Sequence, residues 1–189
     1  MTRNNKPFEI INFKRLTNLS PLKRIAIVGP ESTGKSTLCA QLAAHYKTVW
    51  AKEYAREYLL KHGRSYTTAD LDQIAEGQLA EEEAAIKMAQ PGSLVFIDTD
   101  MYVIKVWSEF VFNKCNNRIL TRIAERKYDL YLLCNTDLPW VKDELREYPD
   151  LETREKLFHY YKDLLVNQHV SWALVSGSNE DRLKKAIAV

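Results

Sequence analysis

The chain predicts an α/β protein, a three-layer sandwich built on a mostly parallel five-stranded sheet. Short apolar runs alternate five times with longer segments patterned for helices, as in sheets whose parallel strands are joined by helical crossovers. Ile25–Val28, Leu94–Ile97 and Leu130–Cys134 are apolar throughout rather than at every second position, which marks strands buried on both faces. The polar residues with chemistry to offer follow these runs, at the carboxyl ends where such sheets bind ligands.

Residues 1–22 are mixed and polar, punctuated by Pro7 and Pro21, and read as an N-terminal extension in which Phe8–Phe13 could add a short edge strand. One domain then spans residues 23–189. Ile25–Val28 ends in Gly29, and a glycine-bracketed loop leads into a helix over Ser36–Tyr46 with Leu38, Leu42 and Ala43 on one side. Thr48–Trp50 is a second short strand, followed by the charged helix Ala55–His62. From Ala69 to Gln90, Leu71, Ile74, Ala75, Leu79, Ile86 and Ala89 keep helical spacing until Pro91 and Gly92 stop it. The third strand, Leu94–Ile97, ends at Asp98. Helices over Met101–Val111 and Asn117–Arg126 lead to the fourth, Leu130–Cys134. A charged span from Pro139 to Asp150 precedes a helix over Glu152–Val166, a fifth strand at Val170–Val175 and a last helix at Asp181–Ala188.

Composition removes several classes of function. With 46% hydrophobic and 28% charged residues over 189 positions, wholesale disorder is excluded. Twenty-seven Lys plus Arg against 25 Asp plus Glu leave +2, too balanced for a nucleic-acid or membrane-surface partner. No apolar run approaches the ~20 residues of a bilayer span, and Met1–Leu19 holds no secretory apolar block. Cys39, Cys115 and Cys134 are scattered and odd in number, so they read as reduced thiols. His45, His62, His159 and His169 form no metal-ligand spacing. The expectation is a cytoplasmic protein acting on a small molecule.

Gly29-Pro30-Glu31-Ser32-Thr33-Gly34-Lys35-Ser36 matches G-x-x-x-x-G-K-[ST] in full. Gly29 and Gly34 permit backbone conformations in which successive N–H groups turn inward around a phosphate. The helix that follows adds its free N–H groups and positive dipole end. Lys35 is placed to reach the β- and γ-phosphates, the Ser36 hydroxyl to ligate Mg²⁺, and Thr37 to donate to the α-phosphate. An accidental glycine loop would match this pattern in fewer than about one chain in a hundred of this length.

Other residues acquire meaning beside this cradle. Asp98, closing an apolar strand, can hold Mg²⁺ opposite Ser36. Asp100 either faces an acceptor substrate or caps the next helix. Glu53, just past the second strand, can look across the sheet at the transferring phosphate and accept a hydroxyl proton; Arg56 shares its helix face. Glu53 and Glu57 read equally as a solvated charged face. Arg146 and Arg154 lie in the charged stretch between Asp137 and Arg154, with Trp140 at its base, where a closing lid could bring them to the charge developing on a phosphoryl group, or where they are simply solvated. Trp107, Trp140, Tyr54, Tyr58 and Tyr102 suit stacking on a flat ring, or the core.

GPESTGKSTL, EYAREYL, IDTD before VWSE, YDLYLLC followed by DLPWVKDELRE, and the closing VSG run in this order from Lys23 to Ala188. In this the chain resembles the ribosylnicotinamide kinase domain of NadR-like proteins. The resemblance implies a P-loop nucleoside/nucleotide kinase fold with a helical lid. It also implies ATP- and Mg²⁺-dependent phosphorylation of the 5′-hydroxyl of nicotinamide riboside, giving nicotinamide mononucleotide for NAD synthesis. Carried over, it makes Gly29 to Thr37 the ATP phosphate loop and Asp98 the metal-side acid. Glu53, Arg56, Asp100 and Trp107 fall in the riboside pocket, Arg146 and Arg154 in the lid, with Glu53 favoured as base. Only about two dozen residues precede the first sheet strand and no H-x-G-H nucleotidyl-transfer motif occurs, so neither the adenylyltransferase activity of many NadR-like proteins nor the repressor segment of some is expected of this chain. Two other readings stay open: a kinase of another small nucleoside or vitamin precursor, and an ATP- or GTP-binding regulatory module without turnover. Against a GTPase, the place of the N-K-x-D guanine reader holds Cys134-Asn135-Thr136-Asp137.

Overall fold

The three central strands carry continuous buried apolar runs because each has two faces to cover. In the computed structural model, which describes residues 21–189, the elements run β1 (Lys23–Val28), α1 (Lys35–Tyr46), β2 (Trp50–Ala51), α2 (Tyr54–His62), α3 (Thr68–Met88), β3 (Leu94–Asp98), α4 (Met101–Phe112), α5 (Asn117–Glu125), β4 (Leu130–Cys134), α6 (Leu151–Asn167), β5 (Trp172–Val175) and α7 (Asn179–Ala188). The strands form one sheet in the order β2-β3-β1-β4-β5, every pairing parallel. The edge strand considered at Phe8–Phe13 lies outside the described residues.

Ile25 and Ile27 of β1, with Leu130, Leu132 and Cys134 of β4, face Leu38, Cys39 and Leu42 of α1 and Ala186 of α7. Ala26 and Val28, with Tyr131 and Leu133, face Val103 and Val106 of α4 and Leu157, Tyr161 and Leu165 of α6. On that second side Val95 and Ile97 of β3 meet Ala85 of α3. Period-two alternation thus feeds two helical layers, with an apolar cluster on each side of the sheet. A separate cluster packs α2 to α5 together through Ala55, Leu71, Ile74, Leu79, Met101, Ile104 and Ile119. Among the described residues no helix is long and apolar enough to cross a membrane.

The fifth strand begins at Trp172 rather than Val170 and the last helix at Asn179 rather than Asp181, and two further differences from expectation have local reasons. Thr48 belongs to the turn that ends α1, its N–H on the Ala43 carbonyl and its hydroxyl on the Leu94 carbonyl (2.6 Å), so β2 begins later, at Trp50. The lid expected to be helical is an irregular strap from residue 135 to residue 150, with one turn at 144–145; helix resumes at Leu151, where Asp150 accepts from the Thr153 N–H as its N-cap. Pro139 and Pro149 lack the N–H a helix would need there.

The order of strands places the site. β1 leads through α1 toward β2 on one side, whereas β3 leads through α4 and α5 to β4 on the other. The loops leaving the adjacent strands β1 and β3 therefore diverge and open a crevice at their carboxyl ends.

Candidate active site

The loop between β1 and α1 is shaped by its two glycines. Gly29 has φ +136°, and a Cβ there would stand 2.8 Å from the Cys134 carbonyl oxygen. Gly34, at φ +78°, is the N-cap of α1, and no side chain caps the helix. The first amides of α1 are thus left for a ligand, and the dipole makes that ligand an anion. The Thr33 hydroxyl donates to the Pro30 carbonyl (2.7 Å), and the Lys35 ammonium rests on the same carbonyl (2.9 Å).

Two acids meet beside the cradle. Asp98 is 1% exposed, and neither of its carboxylate oxygens has a hydrogen-bond partner among the described residues. Burial and then the nearby Glu53 charge raise its pKa, against Lys35 and the Ser36 hydroxyl, which favours the charged form without completing a hydrogen bond. Glu53 is half-buried and accepts from the Thr99 hydroxyl at 3.3 Å. Thr99 is itself buried at φ +73°, an uncommon conformation for a β-branched residue, with its N–H on the Ile27 carbonyl (3.3 Å). A buried acid with two orphaned oxygens beside a serine hydroxyl fits a divalent cation. Among the described residues no cluster of three or more His, Cys, Asp or Glu could hold one. Mg²⁺ held by Ser36 and Asp98 would therefore share its coordination with phosphate oxygens and water.

Cradle and Glu53 open into one cleft of about 450 Å³, the size of a small-molecule site. Leu59, Val103, Trp107 and Phe110 line it, as do Leu157 and Tyr161 of α6 and Arg56 of α2. The strap crosses over it, contributing Asp143, Leu145, Arg146, Glu147 and Tyr148. It is tied down on both sides. On the cradle side Glu31 accepts from the Glu147 and Tyr148 N–H groups (3.0 and 2.5 Å) and from the Trp140 indole (3.5 Å), and the Ser32 hydroxyl accepts from the Val141 N–H (3.0 Å). On the far side Arg56 pairs with Asp143 (3.1 Å), and Glu147 accepts from the Tyr66 hydroxyl, which accepts from the Trp107 indole.

Of the residues expected at the site, Gly29 to Thr37, Glu53, Arg56, Trp107 and Arg146 line this cleft, and Asp98 lies behind it. Three are placed otherwise. Asp100 is buried as the N-cap of α4, its Oδ1 accepting from the Tyr102 and Val103 N–H groups (3.1 and 3.3 Å), so it caps rather than faces an acceptor. Burial, then the charge of Glu82, push its pKa up to about 7. Arg154 shares the buried face of α6 with Leu157 and Tyr161. It donates to the Ser32 and Leu138 carbonyls (3.4 and 3.1 Å), bracing the cradle from behind instead of reaching into the cleft from a lid. Trp140 holds Glu31 and does not wall the cleft.

Sequence reasoning missed Arg182, Gln78, Glu147 and Tyr148. Arg182 is 1% exposed and donates to the carbonyls of Thr33, Asn135, Val175 and Gly177 and to Asp137, fastening the cradle to the ends of β4 and β5. Gln78 had a legible signal. It stands with Leu71, Ile74, Ala75 and Leu79 on the buried stripe of α3, where a polar residue needs a reason.

A Gly-bracketed cradle at the amino end of α1, an acid closing β3 and an all-parallel sheet in this order define a P-loop fold, of the kind also found in nucleoside and nucleotide kinases. The chain belongs to the AAA domain family, whose model matches residues 24–182. It is 29% identical over 164 residues to the trifunctional NAD biosynthesis/regulator protein NadR of Escherichia coli (strain K12), covering 85% of this chain and 40% of that protein. The chain therefore spans about two fifths of the length of that curated relative. Among solved structures, NadR protein in complex with NR superimposes with a TM-score of 0.73 at 23% identity, over 87% of this chain and 47% of that one. Thymidylate kinase from Ehrlichia chaffeensis gives 0.62 at 10% identity, over 88% and 98%.

Proposed function

We propose that this chain transfers the γ-phosphoryl group of ATP to the 5′-hydroxyl of nicotinamide riboside, with Mg²⁺. The observation that carries the reading is that the phosphate cradle and the Glu53 carboxylate open into one cleft that Trp107 and Phe110 also line. The likeness to NadR, solved with NR, supports nicotinamide riboside as the acceptor.

In this reading the amides of residues 29–37 bind the triphosphate, and Lys35 leaves the Pro30 carbonyl for the phosphate oxygens. Glu53 takes the proton of the sugar hydroxyl as the phosphoryl group arrives. Arg146 faces the cleft from the strap and stabilises the charge that spreads over the transferring oxygens. The strap, closed over both substrates, keeps water from competing as acceptor. Ser36 and Asp98 would hold Mg²⁺, which would supply charge neutralisation at the phosphates.

The test is ADP release from Mg·ATP with a panel of nucleosides. Turnover that depends on nicotinamide riboside is the expected result. Turnover with a different acceptor alone would reassign the substrate within the same class, and nucleotide binding with no acceptor-dependent turnover would make this a regulatory module.

A further inference from the structure

Gln78 lies on α3, away from the cleft lining, and is completely buried. Its carboxamide spends all three of its bonds on backbone groups at one place. Oε1 accepts from the Tyr54 N–H (2.9 Å), and Nε2 donates to the carbonyls of Lys52 (3.2 Å) and Asp98 (3.3 Å). Turning the amide over would set its oxygen against two carbonyls and its NH₂ against an N–H, so the partners dictate its orientation. Lys52 and Tyr54 flank Glu53 on either side, and Asp98 carries the second acid. One side chain thus brackets the peptide that presents Glu53 and ties it to the end of the strand that presents Asp98.

The neighbouring residue serves the same junction. A Cβ on Gly77 would fall 2.0 Å from the Tyr54 ring, so the absence of a side chain there is what lets the start of α2 lie against α3. Nothing about the hydrophobic packing of α3 asks for an amide at 78; an apolar residue would suit the stripe formed by Ile74, Ala75 and Leu79. The amide is matched instead to the open backbone groups at the ends of β2 and β3.

We infer that Gln78 is a positioning residue that sets the separation and aim of the Glu53 and Asp98 carboxylates by bracketing the backbone of both. The inference rests on the kinase reading for what the two acids do, but the bracket itself is independent of it. Gln78 does not line the cleft, and its bonds go to Lys52, Tyr54 and Asp98 rather than to the cradle. Shortening the side chain by one methylene withdraws the amide while keeping its chemistry.

Gln78→Asn is therefore expected to lower kcat by about 10- to 100-fold, the scale of an ångström-sized misplacement at a reacting centre. The KM for ATP and the calorimetric affinity for a non-hydrolysable ATP analogue should stay within about threefold of the unsubstituted chain. The Tyr54 amide, freed of its acceptor, should exchange its hydrogen at least about tenfold faster. Gln78→Glu, which keeps an acceptor for Tyr54 but opposes a carboxyl to two carbonyls, should show the kcat loss with less Tyr54 exchange, and it stands in if the asparagine variant does not fold. A purely structural role predicts a lower melting temperature with kcat per folded molecule unchanged, and that result overturns the inference. So does an equal loss of nucleotide affinity. If the unsubstituted chain turns over no nucleoside, the kinase reading falls alone. The bracket is then judged by Tyr54 exchange, and an unchanged rate in Gln78→Asn overturns it.

Discussion

Lys35 and Arg182 are two cations on the same loop that should answer substitution in opposite ways. Lys35 makes one hydrogen bond, to the Pro30 carbonyl, from a partly solvated position. Lys35→Ala should cost about 1 kcal/mol of stability or less, yet lower turnover by about two orders of magnitude or more, because the ammonium acts on developing charge. Steady-state rates beside a thermal melt separate the two effects. Arg182 is buried and holds four carbonyls and a carboxylate with one planar fork. A lysine cannot reproduce that geometry, so Arg182→Lys should destabilise by about 3 kcal/mol, a drop in Tm of roughly 10 °C. It should also weaken nucleotide binding, since the Thr33 carbonyl loses its anchor. An unshifted melt would mean that the fork is dispensable. The first residue was legible in the sequence and the second was not. Lys35 belongs to a motif of eight consecutive positions with a local mechanism, whereas Arg182 meets Thr33 across 149 residues and nothing near it in the chain announces the contact.

At the scale of elements, the strands were readable because burial on both faces leaves continuous apolar runs, and Leu130–Cys134 forms with the bounds its pattern predicts. The strap was not readable, because its conformation is set by partners on distant elements rather than by its own periodicity. Charges in the span from Asp143 to Glu147 suggest a solvated lid; in the fold Asp143 and Glu147 find Arg56 and Tyr66 on the far side, and the strap's own amides find Glu31. Glu31 thereby becomes the latch between phosphate loop and strap. Its bonds are charge-assisted, each worth about 1.5–3 kcal/mol, so losing the carboxylate should shift strap opening at least about tenfold. Lys142 is exposed and offers trypsin a site within the strap. Glu31→Ala should be cut there at least about tenfold faster than the unsubstituted protein, with cleavage elsewhere unchanged. Equal rates would show that Arg56–Asp143 and Tyr66–Glu147 suffice to hold the strap shut.

Taken over the whole molecule, three acids are buried, Asp98 beside the cradle and Glu82 and Asp100 away from the cleft lining, and the burial of the latter two shapes how stability follows pH. Glu82 of α3 is fully buried; the Tyr128 hydroxyl donates to both its oxygens (2.9 and 3.0 Å), and Arg126 pairs with it at 3.1 Å. Burial outweighs these partners and pushes its pKa from 4.5 up to about 7. Asp100, whose pKa also rises to about 7, feels the Glu82 charge. A carboxyl whose pKa is higher folded than unfolded binds more protons in the native state between the two values. Stability then falls as pH climbs from about 4 to about 7 and levels off above. The carboxylates of Asp150 and Asp181, which are exposed, and of Asp70 and Asp143, which are partly buried, are shifted downward by their hydrogen bonds, and they act in the opposite sense and at lower pH, losing their contribution as acid protonates them. Together these groups place the stability maximum on the mildly acidic side of neutrality. Gln at position 82 keeps an acceptor for Tyr128 and Arg126 but cannot ionise. Glu82→Gln should therefore gain stability relative to the unsubstituted protein as pH rises, by up to about 3 kcal/mol between pH 5 and pH 8. Denaturant unfolding at the two pH values measures this directly. The same difference at both would mean that Glu82 ionises as freely in the fold as in the unfolded chain, and that its burial beneath the sheet costs nothing.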